Sequence, residues 1–486
     1  LANSNDTGGL NDLGGFVEVA SIGDVQVGDI NTQGPDGGGQ INVFSDGDIS
    51  VNDVQSSSDQ AGGAVNIASV GTVTVGDIDT QGDVTAGRVD EHSTQENVTV
   101  GNITTRSGQT GGTVDLVTPL NVQVGNVDTQ GTNLSGSVSL ESTAGAIVAD
   151  TILTSSDQTG GQVDLVAVGN VSVDTIDTQG TALAGGQVRV VSGNSVAINR
   201  LQTTSAQAAG AVDIVSAGNT QLGDINTQGD VTAGSIGVTS TGDRIVIGDI
   251  QSDSNQTGAA VDITSSTSVQ VGNINVQGTA VSGGTIQLSA ATEGVSVGNI
   301  QAASNNQGGT VTIASPDTIQ TGFIDAQGGA TGGLVDITTE NLFRSNDSFT
   351  DANSINASIS TAGATDGQVI IRHDGGNQTI PFVVGDASVN GTAGAITTGA
   401  NNTIPATRGF IGSYTQGDIQ IITADFFEPE SAEFPPPQEL TELQETPFWL
   451  DEYFTRQYET YIGEGEETPV KSLDKIQQIL GEMGEA

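Results

Sequence analysis

No cysteine occurs in the chain, which excludes disulfides, thiolate nucleophiles and cysteine-based metal sites. Aromatic residues make up only 3 %, with a single Met and a single Trp. A globular core built from 486 residues would use more Leu, Phe and Met to fill its volume. Bases are scarce as well: 11 Lys and Arg face 58 Asp and Glu, for a net charge of −47. That charge rules out nucleic acid and anionic membrane as electrostatic partners. It reads first as a solvated surface that resists aggregation, with divalent cations as weak ligands and no cofactor expected. No apolar run reaches 18 residues, so no segment is expected to insert into a membrane. Leu1 is not an initiator residue, and the numbering is expected to begin inside a longer precursor.

What the chain does have is glycine, 69 residues of it, with Val, Ile and Ala as its apolar stock. These residues suit a thin interior of stacked strands. The order is repetitive. Gly28-Asp29-Ile30-Asn31-Thr32-Gln33-Gly34 returns as Gly76-Asp77-Ile78-Asp79-Thr80-Gln81-Gly82, and again in front of Gly131, Gly180, Gly229, Gly278 and Gly328. Sister motifs without Gln-Gly lie halfway between, such as Asn102-Ile103-Thr104-Thr105 and Asp249-Ile250-Gln251-Ser252. Their central apolar residues form one column: Ile30, Val54, Ile78, Ile103, Val127, Ile152, Ile176, Leu201, Ile225, Ile250, Ile274, Ile300 and Ile324. Twelve steps cover 294 residues, a mean of 24.5.

Within each period the alternation is two, as in Val73-Thr74-Val75 and Val114-Asp115-Leu116, with Gly-rich turns such as Gly111-Gly112 between the runs. The pattern predicts an all-β fold, a right-handed parallel β-helix (β-solenoid) of about 24.5 residues per coil. Regular coils are expected over 1–337 and irregular C-terminal coils over 338–424, with an insertion from Asn341 to Asp351. A short acidic Pro-rich linker follows at 425–446 and a tail with two helices at 447–486. Phe448, Trp449, Tyr453, Phe454 and Tyr458 on the first helix, with Ile476 and Leu480 on the second, form apolar faces too small to fold alone. They are expected to dock on another surface, the first coil of a neighbouring copy, which makes the chain's main partner itself, end to end. The alternative is that the tail folds back to cap its own rod.

Two residues after the apolar column runs a hydroxyl ladder: Thr32, Thr80, Thr129, Thr178 and Thr227, with Ser56, Thr105, Thr154, Thr203 and Ser252 in the sister coils. It continues as Val276, Ala302 and Ala326. Stacked hydroxyls about 4.8 Å apart can bond along the axis. Gln33, Gln81, Gln130, Gln179 and Gln228 recur only every second coil and read as turn buttresses. The Asp29, Asp77, Asp224 and Asp249 column, alternating with Asn102, Asn126, Asn273 and Asn299, reads as a turn or axial hydrogen-bonding device.

The Gly-Asp-Ile-x-Thr-Gln-Gly coils resemble the filamentous-haemagglutinin-type solenoids of cyanobacterial two-partner-secretion proteins. Ile370-Ile371-Arg372-His373-Asp374-Gly375-Gly376, Pro381-Phe382-Val383-Val384-Gly385-Asp386 and Asn390 to Gly399 resemble the subset that carries a C-terminal caspase-like (CHAT) protease domain. So does Ser413-Tyr414-Thr415-Gln416-Gly417-Asp418-Ile419, and Asp451 to Leu480 resembles the region just before that protease. The resemblance implies an extracellular or cell-surface location, a secretion domain upstream and a protease downstream. This chain has no cysteine to serve as a caspase-like nucleophile.

Some parallel β-helices are polysaccharide lyases, whose sites cluster acids with Arg or Lys around Ca²⁺. Here the outward acids Asp90, Asp115, Asp164, Asp213, Asp262 and Asp336 are expected mostly every second coil. That places them about 9.6 Å apart, too far for one ion to bridge. Arg88 and Arg189 read as isolated, and His92 and His373 as lone histidines. No active site is expected, and the chain reads as a structural or adhesive rod, with cell-surface or matrix glycans as further partners. A scaffold that presents and regulates a downstream caspase-like protease is the alternative.

Overall fold

The computed structural model describes residues 13–423. The linker at 425–446 and the helical tail at 447–486 lie outside the described residues. A regular coil contains three strands, for example Val65–Ser69, Val73–Val75 and Ile78–Asp79. The next coil repeats them as Val89–Ser93, Val98–Val100 and Ile103–Thr104, each parallel to its predecessor and in register. The long first strands build one sheet of 17 strands, and the two shorter columns build another of 30. The fold is a parallel β-solenoid, and no α-helix occurs among the described residues.

Alternation decides which way each side chain points. Val65, Ile67, Val73, Val75 and Ile78 turn inward and are at most 3 % exposed, while Asn66 and Thr74 turn outward. The apolar column from Ile30 to Ile324 is buried throughout and is carried on by Ile359 and Ile396. Stacking β-branched residues on themselves lets each rung fill the space of the one below.

The corner between the second and third strands is a Gly-Asx kink. The carboxylate or amide oxygen of one rung accepts the backbone N–H of the next: Asn102 N–H to Asp77 at 2.7 Å, Asn126 to Asn102 at 3.0 Å, Asn273 to Asp249 at 2.7 Å. Between these the Asn side-chain amides bond the same oxygens. Three successive coils lack glycine there and carry Asp150-Thr151, Asp174-Thr175 and Asn199-Arg200. In those coils the two short strands fuse into the seven-residue strands Ile147–Leu153, Val171–Asp177 and Val196–Gln202.

The hydroxyl ladder closes the opposite corner. The side chains are buried, but the axial chain forms only at Thr32–Ser56 (3.0 Å) and Thr227–Ser252 (2.6 Å). Most threonines bond across their own turn, because a closer acceptor is there. Thr129 Oγ1 donates to the Gly136 carbonyl at 2.7 Å, while Gly136 N–H donates to the Thr129 carbonyl at 2.9 Å. The same reciprocal pair joins Thr80 with Gly87, Thr105 with Gly112, Thr154 with Gly161 and Thr203 with Gly210. Glycine is required at the second partner: a Cβ on Gly136 would lie 1.9 Å from the Gly112 carbonyl oxygen of the coil before.

Val276, Ala302 and Ala326 have no hydroxyl to give. There the carbonyls of Gly284, Gly309 and Gly333 accept the N–H of Thr310, Leu334 and Gln368 in the next coil, at 2.9–3.0 Å. The first strand is five residues long in Ile236–Ser240 and six from Ala260–Ser265 onward, through Thr285–Ala290, Thr310–Ser315 and Leu334–Thr339. The change starts at Ser252, whose hydroxyl goes to the Gly234 carbonyl of the coil before, while the Ala259 carbonyl accepts the Thr285 N–H.

The expected insertion at 341–351 begins later than the sequence suggests. Phe343–Ser345 still pairs with Ile319–Thr321, and only then does Phe349–Thr350 turn back antiparallel on Asn356–Ser360. Phe343 and Phe382 stack at 6.2 Å and fill the wider last coils. Antiparallel hairpins finish the rod: Arg408–Phe410 on Phe382–Val384, and Tyr414–Gln416 on Ile419–Thr423.

Replacing Thr129 by Val should cost about 1–2 kcal/mol in denaturant unfolding, because the Gly136 carbonyl loses its donor, whereas Thr129→Ser should cost less than half of that. Equal losses from the two substitutions would contradict the cross-turn pair.

Candidate functional site

The predicted structural threonines are all interior and present nothing to solvent. The seven tail residues expected to dock, Phe448, Trp449, Tyr453, Phe454, Tyr458, Ile476 and Leu480, lie outside the described residues. Site-like features are therefore sought on the outer faces and in the coils themselves.

The outward acids are less evenly spread than expected. Asp90 and Asp115 are direct partners on neighbouring strands, one rung or about 4.8 Å apart rather than two. Arg88 is not isolated: its Nε lies 2.5 Å from Asp90 Oδ1 and its Nη2 3.7 Å from Asp115 Oδ2. Arg189 likewise pairs with Asp164 at 2.9 Å. These arginines were misread because their partners sit one coil away or two residues along, on the same outward face. Burial among neighbouring side chains pushes Asp90 up to about 6, against the pull of Arg88. Burial lowers His92, opposed by Asp115, and raises Glu141, which also feels Asp115 and Asp164. Among the described residues no group of three or more His, Asp or Glu is placed to hold a metal ion.

Beneath this patch lies a residue that the sequence reading passed over. Glu91 takes the inward place held by Ile67 in the coil before and Leu116 in the coil after. It is 1 % exposed, and neither carboxyl oxygen has a hydrogen-bond partner. Desolvation alone pushes its pKa up to about 8. The signal was available, since the alternation Val89-x-Glu91-x-Ser93 puts an acid in an apolar column.

A second buried hydroxyl column was also missed. In most coils the last inward residue of the first strand is a hydroxyl that reaches back to a turn carbonyl of the preceding coil: Ser93 to Gly71 (2.7 Å), Ser192 to Gly169 (2.8 Å), Ser240 to Gly218 (2.6 Å) and Thr339 to Asp317 (2.7 Å), with Ala167 and Ala290 as exceptions. Near the closed end, His373 is fully buried against Phe382, with centroids 5.3 Å apart, and burial lowers its pKa to about 4. Its Nδ1 lies 3.3 Å from the Asn390 amide, which also donates to the Ile380 carbonyl.

Concavity is concentrated on one edge, the turn after the third strand where Thr-Gln-Gly lies. Depressions of about 260 Å³ and 440 Å³ there share Gln179 and Thr181, and together run from Arg106 to Asn255. Another, of about 680 Å³, starts at Gln277 on the next coil, and a fourth lies by Gln33. The glutamines tie this edge together along the axis: Gln33 Nε2 donates to Ser57 (2.7 Å), Gln130 to Ser155 (2.6 Å) and Gln228 to Asp253 (2.7 Å). These three link their coil to its sister, whereas Gln179 and Gln327 buttress their own turn through Asp177 and Asp325. No family model, curated protein or solved structure matches the chain.

Glu91 sets a pH dependence. Its folded pKa of about 8 lies above its ordinary value of 4.5, so the folded chain holds the extra proton between those limits. Stability is therefore full at the acid end of that window and falls as pH rises through it. Glu91→Leu should stabilise the rod by about 3 kcal/mol more at pH 8.5 than at pH 5 in denaturant titrations. An equal gain at both values would contradict a carboxyl buried without partners.

Proposed function

We propose that the chain is a non-catalytic structural or adhesive β-solenoid that works outside the cell, its rods joined end to end. The carrying observation is that the two ends differ. Among the described residues the first-coil strands Val17–Ser21, Val25–Val27 and Ile30–Asn31 pair on one side only, with the second coil. Leu13, Phe16 and Ile22 stand beside that edge, 64 %, 53 % and 93 % exposed. The last long strand, Ile419–Thr423, pairs on both sides, with Gln368–His373 and with the hairpin strand Tyr414–Gln416. Among the described residues, a first coil paired on one side and a last long strand paired on both support a head-to-tail contact, which extends into filaments because it does not close on itself. The apolar faces read in the tail at 447–486 are the proposed plug for that edge. The net charge of −47 keeps the sides of the rods apart.

A scaffold for a downstream caspase-like protease is the second reading. It is favoured by where the resemblance falls: Phe382–Val384, Ala395–Gly399 and Tyr414–Gln416 build the closing end of the rod. Mass spectrometry of the native protein separates the two, since a mature chain running past Ala486 into a protease domain favours the scaffold.

Electron microscopy of the purified chain should show filaments longer than a single rod, and a variant lacking residues 425–486 should give single rods of about 80 Å. Single rods from the intact chain would overturn end-to-end assembly.

A further inference from the structure

The edge with the depressions carries a second periodic feature. In four of the Gln-Gly coils the tip of the turn exposes an aliphatic side chain, Val84, Leu183, Val231 and Val281, each 37–46 % exposed, while the coil between Val84 and Leu183 holds Asn133 at that place and Leu134 one residue along. The sister coils place an exposed glutamine at that tip: Gln60, Gln109, Gln158, Gln207 and Gln256. The two sets are successive rungs of one row, because each of the four donates its N–H to the carbonyl of the glutamine before it, at 2.8–3.0 Å, as Asn133 does to Gln109. From Gln158 to Val281 amide and aliphatic groups therefore alternate about every 4.8 Å, and each kind repeats about every 9.6 Å. Core packing does not need these aliphatic groups, and a polar residue would be easier to keep in water.

We propose that this edge is a binding track for an extended, uncharged β-1,4-linked polysaccharide of the cellulose or chitin type. The inference rests on the adhesive part of the function above and names the class of ligand. A sugar ring offers an aliphatic C–H face and hydroxyl-bearing edges, which match side chains such as Leu183 and Val231 and the amides of Gln158 and Gln207. The disaccharide unit of a β-1,4-linked chain advances by nearly the two-rung spacing, so successive units meet the same pair of groups. The unbroken stretch from Gln158 to Val281 covers five steps, about 24 Å, room for two such units.

Other occupants fit less well. An acidic glycan meets a chain of net charge −47. A peptide strand finds no free sheet edge, because the backbone here is spent on coil-to-coil bonds such as Thr181 N–H to Ser156 and Ala206 N–H to Thr181. A second rod would bring Asp83, Asp157 and Asp230 of one edge against the same acids of the other. Without aromatic platforms each sugar contact is weak, and affinity comes from engaging many rungs at once.

Affinity electrophoresis of the full chain tests this, with native gels holding hydroxyethylcellulose, glycol chitin, dextran or alginate. Retardation is expected in the first two and absent from α-linked dextran and anionic alginate. Cellohexaose should relieve it at far lower concentration than cellobiose. Leu183→Ser, Val231→Ser and Val281→Ser together should weaken it at least fivefold with an unchanged melting midpoint, and Gln158→Ala with Gln207→Ala should do the same. No retardation, equal retardation by dextran, or undiminished binding by both variants would overturn the track. Loss of lateral rod pairing in the triple variant, without glycan retardation in the parent, would assign the row to self-association instead. Filaments persisting while glycan binding fails would leave the function above standing and sink only this inference.

Discussion

A solenoid coil has to turn a corner three times while its neighbours sit one strand spacing away on either side, and every corner carries carbonyls that water cannot reach. An unpaired buried carbonyl costs about 1–3 kcal/mol, and a rod of this length repeats that cost at every rung. The side chains that meet this constraint set the rest of the architecture. Threonine and glycine exchange two bonds across one corner, serine reaches back a rung at another, and Asp or Asn caps the next N–H at the third. From Ser252 on through Val276, Ala302 and Ala326, the strand is one residue longer and its N–H takes over the carbonyl.

Much of this was legible in the sequence because the repeat has a single period and each column one chemical character. The apolar column from Ile30 to Ile324 and the Asx column at Asp77, Asn102 and Asn126 stand in the structure at the places their spacing gave them. What was not legible depends on neighbours rather than on the period. The direction of the Thr129 hydroxyl follows from how closely Gly136 approaches, which no spacing reveals. Asp90 and Asp115 looked two coils apart because the two-coil rule holds from Asp115 to Asp262 and fails at both ends of the column. Glu91 was hidden by expectation, since an acid inside an apolar column breaks the pattern that defined the column.

The exterior divides by function more than the interior does. Inside, every rung resembles the next, which makes the rod extensible and leaves chemistry only at exceptions such as Glu91 and His373. Outside, one face carries acids paired with a few arginines, one edge carries the glutamine-lined depressions, and the two ends differ in how their strands are paired. A long uniform core presenting non-uniform edges and ends fits a part meant to be joined and to hold on.

Amide hydrogen exchange at one residue tests the central claim most directly. In the parent chain the Gly186 carbonyl is held by Thr178 Oγ1 at 2.8 Å, and the strand of the following turn begins at Val212, leaving Ala211 just outside it. Thr178→Val removes the hydroxyl and recreates the arrangement found at Val276, where Gly284 accepts the Thr310 N–H. If turn carbonyls govern the strands, the Ala211 amide should become at least tenfold slower to exchange in Thr178→Val. Unchanged exchange at Ala211 in a variant that still folds would show that strand length is set by something other than the carbonyl it must satisfy.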